Sequence, residues 1–256
     1  MPKLLRGLVG LAGFLLFWEV ACQVGLVSKT FIPPPSVVLV TMGELLGDPT
    51  FLRDIVATML AWLIALAIAI GIAVPAGLLL GSIPALRTAT AAIVEFLRPI
   101  PVAALIPLVL LVIGSGPEAK ITLGVYASLW PIMFNTIYGM SEIDPVLMET
   151  ARACGTSRFR ILSSVALPQT APFVFTGVRL SATIALIAVV STEFLAGSEV
   201  GLGSYIMLVS TGSTRFDLVF ASTVVAGALG YLINEGLEQL GKRLFRWSTV
   251  DREAIA

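Results

Sequence analysis

Long apolar runs bounded by turn residues or charges constrain this chain more than any other feature. Six are visible, at about Leu4–Val27, Asp54–Gly81, Ala89–Ile113, Lys120–Met140, Pro172–Gly197 and Phe216–Phe245. Each can cross roughly 30 Å of hydrocarbon at about 1.5 Å per helical residue. In lipid every backbone polar group must be bonded within the protein, and no barrel-like alternation is visible, so helices are the economical solution. Composition agrees, with 57% hydrophobic and 12% charged residues, against about 25% charged in a soluble domain. The expected fold class is all-α: a polytopic membrane protein of about six transmembrane helices. The third run is the least regular, because Arg98, Pro99, Pro101 and Pro107 interrupt it.

The basic residues orient the chain. With the N-terminus inside, the inner side collects Lys3, Arg6, Arg87, Arg98, Arg152, Arg158, Arg160, Arg179, Lys242, Arg243, Arg246 and Arg252. The outer side has only Lys29, Arg53, Lys120 and Arg215. That excess of inner positive charge places both termini in the cytoplasm. The basic, apolar N-terminus resembles a signal peptide, but no small-x-small cleavage site follows and Glu19 precedes Cys22 at a position where a lipoprotein signal is apolar. A retained first helix is expected.

Several classes are disfavoured. There is no His, and Cys22 and Cys154 are the only cysteines, so a metal centre or disulfide framework is not expected. A net charge of zero without a basic, aromatic-studded patch argues against nucleic acid. The stretch Gly236–Arg243, GLEQLGKR, approaches a phosphate-binding loop. It places Arg243 where a hydroxyl must hold Mg²⁺, and it ends an apolar run rather than a strand. A nucleotide would therefore have to be bound by another subunit.

The second run carries small residues at every fourth position: Ala57, Ala61, Ala65, Ala69, Ala73, Gly77 and Gly81. Such a ridge lets helix backbones approach closely in lipid. Before it, Pro33, Pro34 and Pro35 forbid a continuous helix. Ser36 can then cap a short amphipathic helix with Val37, Val38, Val40 and Leu45 on its apolar side.

Between the fourth and fifth runs lies a polar, basic island, Ser141–Thr170. Asp144 or Pro145 can start a helix with Glu149 in its early turns. Gly155 can end it in a left-handed conformation. Thr156 or Ser157 can cap a second short helix through Ser164, and Pro168 closes the unit ahead of the next run. Two short helices joined at a glycine would form a rigid elbow.

Ionisable and polar residues inside membrane runs are functional candidates. Arg179 sits near the inner end of its run, where it can snorkel. Glu193, nearer the outer end, is expected to stay hydrated, at a pore mouth or simply at the interface. Asn135 and Thr136 can line a path or bond between helices. Pro99, Pro101 and Pro107 break a span in the way that presents backbone to a cavity. The candidate pathway residues are thus Pro99, Pro101, Asn135, Thr136 and Glu193.

The island also carries a spacing. Glu149, Ala151, Gly155, Val165, Leu167 and Pro168 resemble the cytoplasmic EAA loop of ATP-binding-cassette (ABC) importer permeases, whose pattern is Glu-Ala-Ala, three residues, Gly, nine residues, Ile, any residue, Leu-Pro. Thr150 and Val165 depart from it conservatively. The stretches Glu95–Leu108, Ile113–Ile121 and Leu129–Met140, with Thr192-Glu193 and the later Gly201–Gly203, are similar to the nitrate, sulfonate and taurine branch of those permeases.

The resemblance implies a type I ABC importer permease fold in a bacterial inner membrane, divided as 1–53 (first helix and external segment), 54–247 (transmembrane domain) and 248–256 (tail). It also implies a coupling element built from Glu149, Ala151, Arg152, Ala153, Gly155, Thr156, Ser157, Arg158, Leu167 and Pro168, seated in a groove of an ATP-binding subunit. The implied partners are two such subunits that hold ATP and Mg²⁺, a second copy of this chain, an external substrate-binding protein and the lipid bilayer. No cofactor and no covalent chemistry are expected in this chain. The branch implies a small anion such as nitrate, bicarbonate or a sulfonate, or a related small organic molecule. A secondary transporter or channel is the alternative, but it calls for inverted repeats and buried coupling carboxylates that are not evident. A membrane enzyme would call for an acid–base pair.

Overall fold

The computed structural model describes residues 3–28, 31–212 and 214–245, and no strand occurs among them. Lys29, Arg246, Arg252 and the expected tail 248–256 lie outside the described residues. The helices are α1 (Lys3–Gln23), α2 (Pro35–Leu46), α3 (Pro49–Ser82), α4 (Pro84–Leu97), α5 (Val102–Ile113), α6 (Pro117–Ser141), α7 (Pro145–Ala153), α8 (Arg158–Ile161), α9 (Leu167–Ala196), α10 (Leu202–Gly212) and α11 (Phe216–Leu244). They build two compact units, residues 1–58 with 193–229 and residues 59–192 with 230–256.

Among the described residues four helices are long and apolar enough to cross a membrane: Leu5–Gln23, Pro49–Ser82, Phe159–Ala196 and Phe216–Leu244. A fifth span results if α4 and α5, bent by 89° at their break, count as one. That break falls at the Arg98–Pro101 stretch, as the prolines require. The sixth expected span is α6, which has 25 residues but is not among the spans that qualify by apolarity. Its physical reason is burial. Eleven α6 residues are buried, among them Lys120, Ser128 and Thr136, and a helix wrapped by protein needs no continuous apolar surface.

In the unit containing residues 59–192, the small-residue ridge is real. Ala61, Ala65, Ala69 and Ala73 are buried. A Cβ at Gly77 would lie 2.6 Å from the Cβ of Thr136, and one at Gly81 2.7 Å from that of Met140. The ridge therefore lies directly on α6. The other side of α6 meets α9, where a Cβ on Gly177 would come within 2.9 Å of the Pro131 carbonyl oxygen and the Ile132 Cα. Two hydrogen bonds tie these helices laterally: Ser181 Oγ donates to the Ser128 carbonyl at 2.6 Å, and Trp62 Nε1 donates to the Ala182 carbonyl at 2.8 Å. Arg179, expected to snorkel, instead reaches α11, donating to Asn234 Oδ1 at 3.0 Å and pairing with Glu238 at 2.6 Å. Its partners lie one turn apart on α11, which the sequence of α9 alone does not reveal.

In the other unit, α2 starts two residues earlier than expected. Pro35 occupies the first helical position and Pro34 the cap, with no side-chain cap bond. Ser36 plays a different part, since its N–H and hydroxyl both donate to the Glu19 carboxylate, at 3.1 and 3.0 Å. The buried side of α2 is Pro35, Val38, Thr41 and Leu45, while Val37 and Val40 are exposed. Thr41 and Arg215 both donate to Asp217, which fastens α2 to the start of α11. Phe51, Leu202, Ala221 and Val225 complete this core.

Candidate functional site

The polar island folds as an elbow whose every turn has a local cause. Asp144 caps α7, its carboxylate accepting from the Val146 N–H at 2.8 Å, and Pro145 fills the first helical position. Gly155 follows the helix with φ +72°, a conformation costly for residues with a Cβ. Its N–H donates to the Arg152 carbonyl at 2.9 Å, and the Thr156 N–H donates to Ala151 at 3.1 Å. These two bonds satisfy the last carbonyls in a Schellman closure. Ser157 then caps α8, accepting from the Arg160 N–H at 3.4 Å.

Glu149 falls in the early turns of α7 as its fifth residue, already past the first turn where the dipole acts most strongly. One expectation about this element needs correction. Pro168 does not close a separate short helix. From Arg158 the chain stays helical through Ala196, interrupted only by a π turn at Leu162–Ala166. The Leu167 N–H bonds five residues back, to the Leu162 carbonyl, and this widened turn accommodates the proline ring that an α turn would reject. The second arm of the elbow is thus the rigid continuation of a span.

Glu149, Arg152, Ala153, Gly155, Ser157, Leu167 and Pro168 are exposed, with Ala151 and Thr156 partly buried. The Arg158 side chain lies outside the described residues. Reading the sequence missed three apolar side chains here. Phe159 is 80% exposed and Val146 64%, with Leu147 also exposed, so the elbow presents apolar knobs rather than charge alone. An aromatic residue flanked by two arginines, Arg158-Phe159-Arg160, was the available signal. Beneath the elbow an open cavity of about 630 Å³ is lined by Ile83, Met140, Ile143, Met148, Arg152 and Leu162, among others.

The candidate pathway residues do not form one site. Pro99 and Pro101 sit exposed at the corner between α4 and α5. That corner is braced on α6, where Tyr126 Oη donates to the Leu97 carbonyl at 2.5 Å and the Arg98 guanidinium lies 4.7 Å from the Phe134 ring centre. Thr136 is fully buried under Gly77 and donates to its own helix at Ile132, 2.8 Å. Asn135, partly buried, bonds back to Pro131. Neither bonds between helices, and Thr136 lines no open space. Glu193, expected to be hydrated, has no exposed surface. Its carboxylate accepts from the Thr58 hydroxyl and the Gly203 N–H, because α10 folds back over it. Among the described residues no cluster of potential metal ligands occurs.

Comparison with known proteins places this architecture. A family model described as "Binding-protein-dependent transport system inner membrane component" matches residues 73–239. The taurine transport system permease protein TauC of Escherichia coli (strain K12) is 30% identical over 93% of this chain and 87% of its own length. The bicarbonate transport system permease protein CmpB of Synechocystis sp. is 27% identical over 93% of this chain and 88% of its own. Among solved structures, a chain of a bacterial alginate ABC transporter in complex with a pentasaccharide-bound periplasmic protein covers 94% of this chain and 94% of itself. It matches with a TM-score of 0.66 at 16% identity.

Proposed function

This chain belongs to the family of binding-protein-dependent transport system inner membrane components, is the permease component of an ABC importer, and, we propose, couples transport to ATP hydrolysis through the elbow at residues 145–168. The observation that carries this reading is the elbow's construction. A helix fixed at both ends by local caps turns at a left-handed glycine and passes directly into a 38-residue helix, Phe159–Ala196. Force on the exposed knobs is delivered to a span with no flexible joint in between.

In this reading the chain does no covalent chemistry. ATP and Mg²⁺ are held by two ATP-binding subunits, each seated on one elbow of a permease pair made from two copies of this chain. An external binding protein delivers the substrate, a small anion of the nitrate, bicarbonate or sulfonate kind, which the names of the similar permeases support. Residues 54–247 would be the transmembrane domain, preceded by the first helix and external segment and followed by the short tail. Phe159 is the knob that fills a pocket of the ATP-binding subunit. Buried aromatic anchors dominate interfaces of this kind, so Phe159→Ala is expected to lower retention of that subunit roughly tenfold or more. Co-purification from membranes measures it, and wild-type retention would remove Phe159 from the interface.

Orientation follows the inner excess of positive charge, with both termini and the elbow in the cytoplasm. The native Cys154 is exposed on the elbow and Cys22 is buried, which makes labelling simple. In intact cells an impermeant maleimide should miss wild-type protein but label Ser115→Cys, in the exposed α5–α6 turn. Labelling of Cys154 from outside would reverse the topology.

A further inference from the structure

The first backbone N–H groups of a helix have no partner within it. At the start of α10 each of three consecutive N–H groups finds a side chain. Gly201 donates to Asp54 Oδ1 at 3.0 Å, Leu202 to Thr58 Oγ1 at 2.8 Å and Gly203 to Glu193 Oε2 at 3.0 Å. The Thr58 hydroxyl in turn donates to the Glu193 carboxylate, 2.8 and 3.0 Å from its two oxygens. Asp54 and Thr58, four residues apart, share one face of α3. Glu193, Thr58 and Leu202 are fully buried.

A buried carboxylate is strongly unfavourable unless it is hydrogen-bonded, and the positive end of a helix is a favourable place for one. Gly201 completes the fit. Its φ is +149°, and a Cβ there would run into the Glu193 carboxylate. The chain thus fills an anion seat with its own side chain. What hangs from that seat is α10, an apolar helix of 11 residues, too short to cross the membrane and reached through glycines of positive φ at 197 and 201. Beside it opens a cavity of about 450 Å³ lined by Arg53, Asp54, Ser204, Tyr205, Met207 and Leu208, among others.

We propose that Glu193 is a positioning residue of the transport cycle: its carboxylate seats the first turn of α10, so that α10 and the cavity wall it forms move with the ends of α3 and α9 rather than independently. The role rests on the permease reading, and its test separates the two. The transporter, assembled with its ATP-binding subunits, is reconstituted in vesicles of phosphatidylethanolamine and phosphatidylglycerol as wild type, Glu193→Gln and Glu193→Ala. Hydrogen exchange of the amides 202–205 is followed by mass spectrometry.

Loss of charge-assisted bonds should speed their exchange about tenfold or more in Glu193→Ala. Sodium formate, a free carboxylate of the right size, should restore protection to that variant where equal sodium chloride does not. ATP turnover by the assembled complex should fall in Glu193→Ala and recover in parallel with formate. Glu193→Gln keeps the shape without the charge and should show the same defect in milder form, which covers the case in which the alanine variant fails to fold. Unchanged exchange in both variants, or exchange that formate does not slow, overturns the anion seat. Altered exchange with unaltered turnover overturns the positioning role. A wild-type chain that assembles with no ATP-binding subunit would overturn the permease reading while leaving the exchange result standing.

Discussion

Replacing Gly155 by valine is expected to leave the spans folded and to uncouple them from ATP hydrolysis. Gly155 has φ +72°, and a Cβ added there would meet nothing within 4 Å. The penalty is therefore conformational, about 1–2 kcal/mol for a residue forced into the left-handed region. A β-branched residue relieves that strain by leaving the region. Doing so breaks the Gly155–Arg152 and Thr156–Ala151 bonds that hold the two arms of the elbow at their angle. Since Gly155 is exposed and a side chain there meets no neighbour, insertion and yield should be normal. ATP turnover by the assembled complex should lose its response to the loaded binding protein. Gly155→Asn is the control, because asparagine tolerates the left-handed region and should retain most coupling. Wild-type coupling in Gly155→Val would show that the elbow angle is irrelevant to transport.

What made the elbow legible in the sequence is that its instructions are local. Asp144-Pro145, Gly155 and Ser157 each act on backbone groups within a few residues, so their roles follow from residue type and spacing. The small-residue ridge of α3 was legible for the same reason, since a four-residue period defines a helical face whatever packs on it. The misreadings have the opposite character. Glu193 lies 135 positions from Thr58, and nothing around it announces that α10 returns to bury it. Arg179 finds Asn234 and Glu238 more than fifty positions away. Thr136 reads as a pathway residue because it is polar in an apolar run, yet a hydroxyl bonded back to its own helix is compatible with complete burial. Pro168 reads as a stop only if the helix before it must be α, and the π turn removes that condition. The sequence of α6 shows a span without showing that its polarity reflects protein on most sides rather than water.

The close contacts of α6 set the second large effect. Gly177 on α9 has the backbone of α6 where its side chain would be, with the Pro131 carbonyl oxygen, the Ile132 Cα and the Asn135 Cβ all 2.9 Å from an added Cβ. Flexible side chains can give way to a methyl group, but two helical backbones cannot without separating. Separation would also stretch the neighbouring Ser181–Ser128 bond, 2.6 Å and buried, and the Trp62–Ala182 bond. Gly177→Val should therefore cost at least the roughly 1–3 kcal/mol typical of overpacking. Glycine's poor helix propensity offsets about 1 kcal/mol of it at most. The measurable result is a fall in the apparent unfolding midpoint of the detergent-solubilised protein by about 2–8 °C. Gly71→Val on α3, where a Cβ meets nothing within 4 Å, is the matched control and should shift the midpoint little. Equal shifts in the two variants would mean that valine in any membrane helix of this chain is harmful. The close approach of α6 and α9 at Gly177 would then carry no special share of the stability.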